Sequence, residues 1–343
     1  MIVAALLAVL ATPATIPPVQ SYDTYKSWFV ACDNTLACVA KGFAEDANPR
    51  AEIHLEQEPG PDGPLSLAIR SEAGFRAADV RLDGQPIAMS PPWRLTRDGD
   101  GATLASRDPV AVRAMLKRLR VGKVLSLGPG GRIPLDGLSA ALLRIEVRQG
   151  RVGTLTAVIR SGAAAATTVP APPPIPRIPA HPIDARLDPG EQARLIAAVR
   201  ADASAAKALA DCDTDSSMAP EADALDQRQA LVLIPCFMGA YQGSSLVFVA
   251  RRAGGGVHQQ ILPLPYLGED PEHGRTDMVT EADFDPRTGM LSMLAKGRGL
   301  ADCGLSASWI WDGAAFQLSA MRMQSACGGV DPDDWPILFE SRR

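Results

Sequence analysis

AAAATTVPAPPPIPRIPAHP, residues 163–182, places seven prolines in its last thirteen positions. Proline has no backbone N–H and a fixed φ, so such a run cannot sit inside a helix or a central strand; it reads as a semi-rigid spacer. Charge changes sign across it. Residues 1–187 hold 21 Lys+Arg against 17 Asp+Glu, net +4, and residues 188–343 hold 13 against 22, net −9, which together give the chain's −5. The spacing predicts two domains, 21–162 and 183–343, joined by the proline-rich linker at 163–182. No internal repeat relates the two halves.

Ahead of the linker, short alternating runs follow one another: SWFVAC, LACVAKGF, AEIHLEQ, PLSLAIRS, FRAADVRLDGQPI and WRLTRDGDGATLAS. Asp83-Gly84 and Asp98-Gly99-Asp100-Gly101 supply hairpin turns between them. Asp108 before Pro109 is a helix start, and VAVRAMLKRLR continues it to Gly122. A second helix is expected from Ser139 through Glu146, and a last strand at TLTAVIR, residues 154–160. Behind the linker, Asp188-Pro189-Gly190-Glu191 opens an alanine-rich helix to about Leu209. A meander then follows in LVLIPCF, SLVFVARR, VHQQILPLPY, GMLSMLAK, SASWIWDG and AFQLSAMRM. The expected fold class is α+β with β dominant, each domain an antiparallel sheet carrying one or two helices.

The composition is 46% hydrophobic and 21% charged, which excludes disordered and fibrous chains. The ten-residue apolar run at 2–11 is too short to span a hydrocarbon core, which needs about 20 residues. With Thr12-Pro13-Ala14 after it, residues 1–20 read as a signal peptide and N-terminal segment, although no basic residue precedes Lys26. Export to the periplasm makes disulfides the expected use of the six cysteines. Cys32 and Cys38 suit a small loop closed around Asp33-Asn34. Cys212, Cys236, Cys303 and Cys327 allow three pairings, among which sequence does not choose. Zinc lacks its spacing: no C-x-x-C occurs, and His54, His181, His258 and His273 stand in no recurring relation to the cysteines.

Several patterns imitate catalytic motifs. Ser204-x-x-Lys207 has the penicillin-recognising spacing without an S-D-N or K-T-G partner, and no G-x-S-x-G occurs. Asp211, Asp213 and Asp215 alternate like a calcium loop, but Ser216 stands where glycine is needed and Ala222 where glutamate is needed. Arg113, Lys117, Arg118, Arg120 and Lys123 make a modest basic face, yet a pI near 5.5 argues against nucleic acid. The stretch with most chemistry is Lys296-Gly297-Arg298-Gly299-Leu300-Ala301-Asp302-Cys303-Gly304, two cations among close glycines that could cradle an anion. Trp309 and Trp311 alternate just beyond and would share one sheet face, either anchoring the core, as paired tryptophans more often do, or offering a stacking platform. Lys296, Arg298, Asp302, Trp309 and Trp311 are therefore the expected ligand patch, for a glycan, an anion or an envelope protein; no catalytic, cofactor or metal residue is assigned.

Trp28 with Ala31-Cys32-Asp33-Asn34 and Cys38, Gln149-Gly150-Arg151 with Gly153, Cys236 with Gly239-Ala240-Tyr241-Gln242, Lys296-Gly297-Arg298-Gly299, Asp302-Cys303-Gly304, Trp309 to Gly313 and Cys327-Gly328-Gly329 together resemble the domain-of-unknown-function 1176 family. The resemblance covers nearly the whole chain after the leader. It implies an exported bacterial six-cysteine protein and carries no catalytic residue with it. Ala301 stands where the pattern has Gly, and Gln242 where it has Asn. The opening Trp…Cys…Cys is also distantly similar to invasion-associated locus B proteins, which implies an envelope or host-contact role. The expectation is a non-catalytic binding or interaction module. A cell-wall or polysaccharide hydrolase using Asp283, Asp285 or Asp302, and an inhibitor of a secreted hydrolase, are the alternatives.

Overall fold

A computed structural model describes residues 20–46, 48–213, 218–265 and 274–343. The leader through residue 19, Asp215 and His273 lie outside the described residues. The first half contributes β1 (Ser21–Tyr25), β2 (Trp28–Cys32), β3 (Cys38–Phe43), β4 (Ala51–Gln57), β5 (Leu65–Ser71), the short β6 (Arg81–Leu82) and β7 (Gln85–Pro86), and the hairpin β8 (Arg94–Asp98) and β9 (Gly101–Ser106). Helix α1 (Pro109–Leu119), β10 (Val124–Ser126), β11 (Arg132–Pro134) and helix α2 (Leu138–Arg148) complete it. Seven strands form one antiparallel sheet in the order β1-β2-β3-β4-β5-β9-β8, and β11-β10-β6-β7 form a smaller one.

Alternation along these strands sends Trp28, Val30, Ile53 and Leu67 to one face, where they pack with Leu116 and Leu142 of the helices in a continuous core. Asp108 caps α1 by accepting the Ala111 N–H at 2.7 Å. The expected strand at 154–160 is instead a series of turns. Its N–H groups go elsewhere: those of Val158, Ile159 and Arg160 are all taken by the Glu146 carboxylate of α2, at 2.5, 2.6 and 3.0 Å. FRAADVRLDGQPI opens with a 3₁₀ turn, and β6 and β7 then pair antiparallel around Asp83-Gly84, the hairpin turn expected there.

The second half begins with α3 (Pro189–Ala201) and α4 (Ala203–Ala208). One helix was expected here, but Asp202 adopts an extended backbone, ends α3 and caps α4 by accepting the Ser204 and Ala205 N–H groups. Ser204 donates its hydroxyl to the same carboxylate at 2.6 Å, so the S-x-x-K spacing belongs to a helix cap. Then come β12 (Glu221–Ala224), β13 (Gln229–Met238), β14 (Gly243–Arg251), β15 (Val257–Gln259), β16 (Leu262–Pro263), β17 (Arg275–Thr276), β18 (Met278–Thr280), β19 (Asp283–Asp285), β20 (Met290–Lys296), β21 (Gly304–Trp311), β22 (Phe316–Gln324) and β23 (Ile337–Glu340). Strands β12-β13-β14-β15 form one antiparallel sheet, with β18 also on β14, and β19-β20-β21-β22-β23 another. The protein is thus β-dominant and built on several antiparallel sheets with four helices among the described residues. None of these helices is long and apolar enough to cross a membrane.

Three disulfides join Cys32 to Cys38, Cys212 to Cys236 and Cys303 to Cys327. Within the first loop, Asp33 accepts the Thr35 and Ala37 N–H groups. Its neighbour Asn34 reaches the other end of the chain, donating to the Glu340 carbonyl at 3.0 Å and accepting the Glu340 N–H at 2.9 Å. The proline-rich stretch is not a free spacer. Ile178 donates to the Arg342 carbonyl, Arg342 to that of Pro176, and His181 to that of Trp311, so the segment is strapped along the C-terminal half.

Candidate functional site

The hairpin joining β20 to β21 carries the loop singled out by its glycines and cations. The Arg298 guanidinium holds the Asp302 carboxylate through two hydrogen bonds, one of 2.6 Å from Nε, and Gly329 adds its N–H at 2.8 Å. Arg298 beside it keeps the Asp302 carboxyl down at about 2. Gly297 allows the close approach to the Cys303–Cys327 bridge, since a Cβ there would lie 2.8 Å from the Cys303 Sγ. Lys296 is engaged as well, its Nζ lying 3.2 Å from the Tyr241 carbonyl and 3.6 Å from a Glu281 carboxylate oxygen. The Gln242 side chain brackets Lys296, accepting its N–H at 2.8 Å and donating to its carbonyl at 3.1 Å. Two motifs separated by more than fifty residues therefore form one brace.

Ala301, where the pattern expects glycine, has φ +55°. The left-handed region costs an L-residue about 1 kcal/mol, partly offset by the greater freedom glycine has when unfolded. Ala301→Gly should therefore leave stability unchanged or raise it by up to about 1 kcal/mol, whereas Ala301→Val should lower it by about 1–2 kcal/mol. Urea unfolding of both variants checks this, and a Val variant as stable as wild type would remove the conformational argument.

The two tryptophans do not join the expected patch. Trp309 is 0% and Trp311 1% exposed. Trp309 donates its indole N–H to the Pro263 carbonyl at 2.6 Å, and Trp311 packs on Phe316 with ring centroids 5.2 Å apart. They do share a face, as alternation predicts, but that face is the core against β13 and β14. With Arg298 and Asp302 spent on each other, the anion cradle read from sequence is a self-satisfied loop. The carboxylates named for hydrolysis are not brought together either. Asp283 and Asp285 flank buried Phe284 on β19, and Asp285 caps its own turn by accepting from the Arg287 N–H and the Thr288 hydroxyl. Asp302 lies beyond the far end of β20, in its ion pair.

What the loop does form is one wall of a groove of about 620 Å³. Tyr22 and Thr24 of β1 stand on one side, Leu264 and Pro265 on another, and Lys296, Gly297 and the Cys303–Cys327 bridge on a third. Leu305, Met321, Met323 and Gln324 make the floor. The lining is mainly apolar, and no Asp, Glu or His side chain contributes to it among the described residues. One polar feature stands out. Gln324 is 0% exposed and donates to the Ala326 carbonyl at 2.8 Å, while its Oε1 has no hydrogen-bond partner. A buried orphan acceptor costs about 1–3 kcal/mol. Sequence reasoning reached this site through Lys296 and the cysteines; Tyr22, Leu264 and the methionines come from segments far apart in the chain and left no local signal.

On the same face of the first sheet as Tyr22 and Thr24, the side of β3, β4 and β5 that turns away from α1 and α2 meets the segment leading to β23. Lys41 is 0% exposed there, with its Nζ 3.5 Å from a Glu52 oxygen and 3.4 Å from the Asp334 carbonyl. Arg70 pairs with Glu52 at 3.0 Å, and the His54 ring lies between Glu52 and Glu56, 3.8 and 3.1 Å from their carboxylate oxygens. Burial alone would raise the pKa of Glu52, but His54, Lys41 and Arg70 outweigh it and hold the carboxyl at about 2. Burial disfavours a charged His54, yet the two glutamates still push its pKa above the usual value. The adjoining cleft of about 510 Å³ is polar and carboxylate-rich, and its two arginines, Arg50 and Arg70, are already paired with Glu72 and Glu52.

The profile of a family described as "Protein of unknown function (DUF1176)" matches residues 22–342. The chain belongs to the DUF1176 family. A relative, "Uncharacterized protein YpfG" of Escherichia coli (strain K12), is 30% identical over 341 residues, spanning 93% of this chain and 92% of the relative. No solved structure matches the chain. In this DUF1176 protein the Gln149-Gly150-Arg151 motif is a clasp. Gln149 donates to the Leu36 and Gln57 carbonyls at 2.7 Å each, and Arg151 to those of Glu58 and Gly60 at 2.9 and 2.8 Å. It fastens α2 to the disulfide loop and to the end of β4.

Proposed function

We propose that this DUF1176 protein is an exported periplasmic binding or interaction module without catalysis of its own, whose ligand or partner enters the groove beside the 296–304 loop. Three disulfides suit an oxidising compartment, where small loops can be held without a large core. The observation that carries the reading is the groove itself. It is an apolar recess of ligand-binding size, walled by a loop whose charged residues are spent on rigidity and not on solvent. Its mainly apolar lining supports binding.

The test is capture from periplasmic extract with wild type and Met323→Glu, which puts a charge on the groove floor. A partner or ligand retained by wild type and lost by the variant, with unchanged thermal unfolding, is the expected result. Equal recovery of everything by both proteins would move the function away from this groove.

A further inference from the structure

Strand β1 is the first strand of its sheet and pairs only with β2, from Ser21 opposite Cys32 to Tyr25 opposite Trp28. Among the described residues, no strand occupies its other edge. Tyr22 and Thr24 of this edge strand, two residues apart and so on one face, both line the groove. A strand laid against β1 would continue the sheet and turn every second side chain toward Met321, Met323 and Leu264.

We infer that the groove takes an extended peptide segment of a partner protein, added to the sheet along β1, with apolar side chains at alternate positions. This rests on the groove being the binding site. Main-chain hydrogen bonds to an open edge combined with recesses for alternate side chains are the known logic of strand addition. An open edge left bare is a standing invitation to pairing that proteins otherwise blunt. Methionines suit the floor because an unbranched thioether adapts to side chains of different shape. An acyl chain would fill the apolar space but has no use for the β1 edge.

The test uses the full chain and a fluorescein-labelled nine-residue peptide of alternating valine and threonine, followed by fluorescence polarisation. Two further versions carry N-methyl groups on one or the other alternate set of amides. Because alternate amides point to opposite edges of a strand, methylation of one set should weaken binding tenfold or more, and methylation of the other less than twofold. Met323→Glu should weaken the parent peptide at least tenfold. Thr24→Arg, at an exposed position where folding is insulated, should do the same. Equal binding of both methylated peptides, or displacement of the peptide by sodium dodecanoate at concentrations below its own, would overturn strand addition while leaving the groove a binding site. Full binding by both protein variants would overturn the groove as well.

Discussion

Replacing Arg151 with methionine is expected to lower the unfolding free energy by about 4 kcal/mol. The guanidinium is 2% exposed and donates to two backbone carbonyls, to Gln149 Oε1 at 2.6 Å and to the Thr156 hydroxyl at 3.2 Å. Methionine fills much of the same volume and donates nothing, so four acceptors lose a partner in one step. Each buried acceptor left alone costs about 1–3 kcal/mol, reduced where water or a neighbour moves in. Lysine should not rescue the loss, because a single ammonium cannot reproduce the planar fork that spans the Glu58 and Gly60 carbonyls. Equilibrium denaturation is the measurement, and a methionine variant within about 1 kcal/mol of wild type would show that the clasp is not structural.

The second large effect is expected at Glu52. Glu52→Ala should cost about 3–5 kcal/mol because it strands Lys41, buried and without its carboxylate. The double change Lys41→Met/Glu52→Leu should recover most of that loss, since apolar residues of similar volume often replace a buried pair with little change in stability. A double variant as unstable as Glu52→Ala would mean that packing, not the charge, is at stake. The same cluster shapes the response to pH. Glu52 has its folded pKa depressed from 4.5 to about 2, so its contribution is fully present above 4.5 and is lost as pH falls toward 2. For a side chain this buried the linked loss is about 3 kcal/mol. His54 works in the opposite sense: its raised pKa gives stability below 6.5 that disappears as pH rises through the folded value. With Lys41, Glu56, Arg70 and Asp334 facing the same pair, stability contributed by the seam should peak between about 4.5 and 6.5. Unfolding measured from pH 3 to 8 checks this, and Glu52→Gln should flatten the acid limb.

Local chemistry was enough to read the hairpin at Asp98 to Gly101, the start of α1 at Asp108-Pro109 and the β-dominant class, because turns and caps act over three or four residues. The same horizon explains the failures. The run at 154–160 has strand-like alternation, but a carboxylate on α2 captures its N–H groups, which no window of seven residues contains. Asp202 did carry a signal, a capping side chain in mid-helix, and the alanine-rich surroundings masked it. Alternation puts both tryptophans on one face of β21 and their number favours the core, but the strands that cover that face, β13 and β14, lie sixty or more residues upstream. At the site, Lys296 and the cysteines were found because they cluster in sequence; the β1 edge and the floor of β22 meet only in three dimensions.

The reach from Asn34 to Glu340 bears on how the chain is made. A ribosome delivers the first sheet in full before the residues that satisfy its outer face exist. Asn34 and Lys41 must wait for roughly three hundred more residues, during which the β3–β5 face carries an exposed buried-type charge and an unpaired amide. A chain cut short before Glu340 would leave the Asn34 side chain without both of these backbone partners.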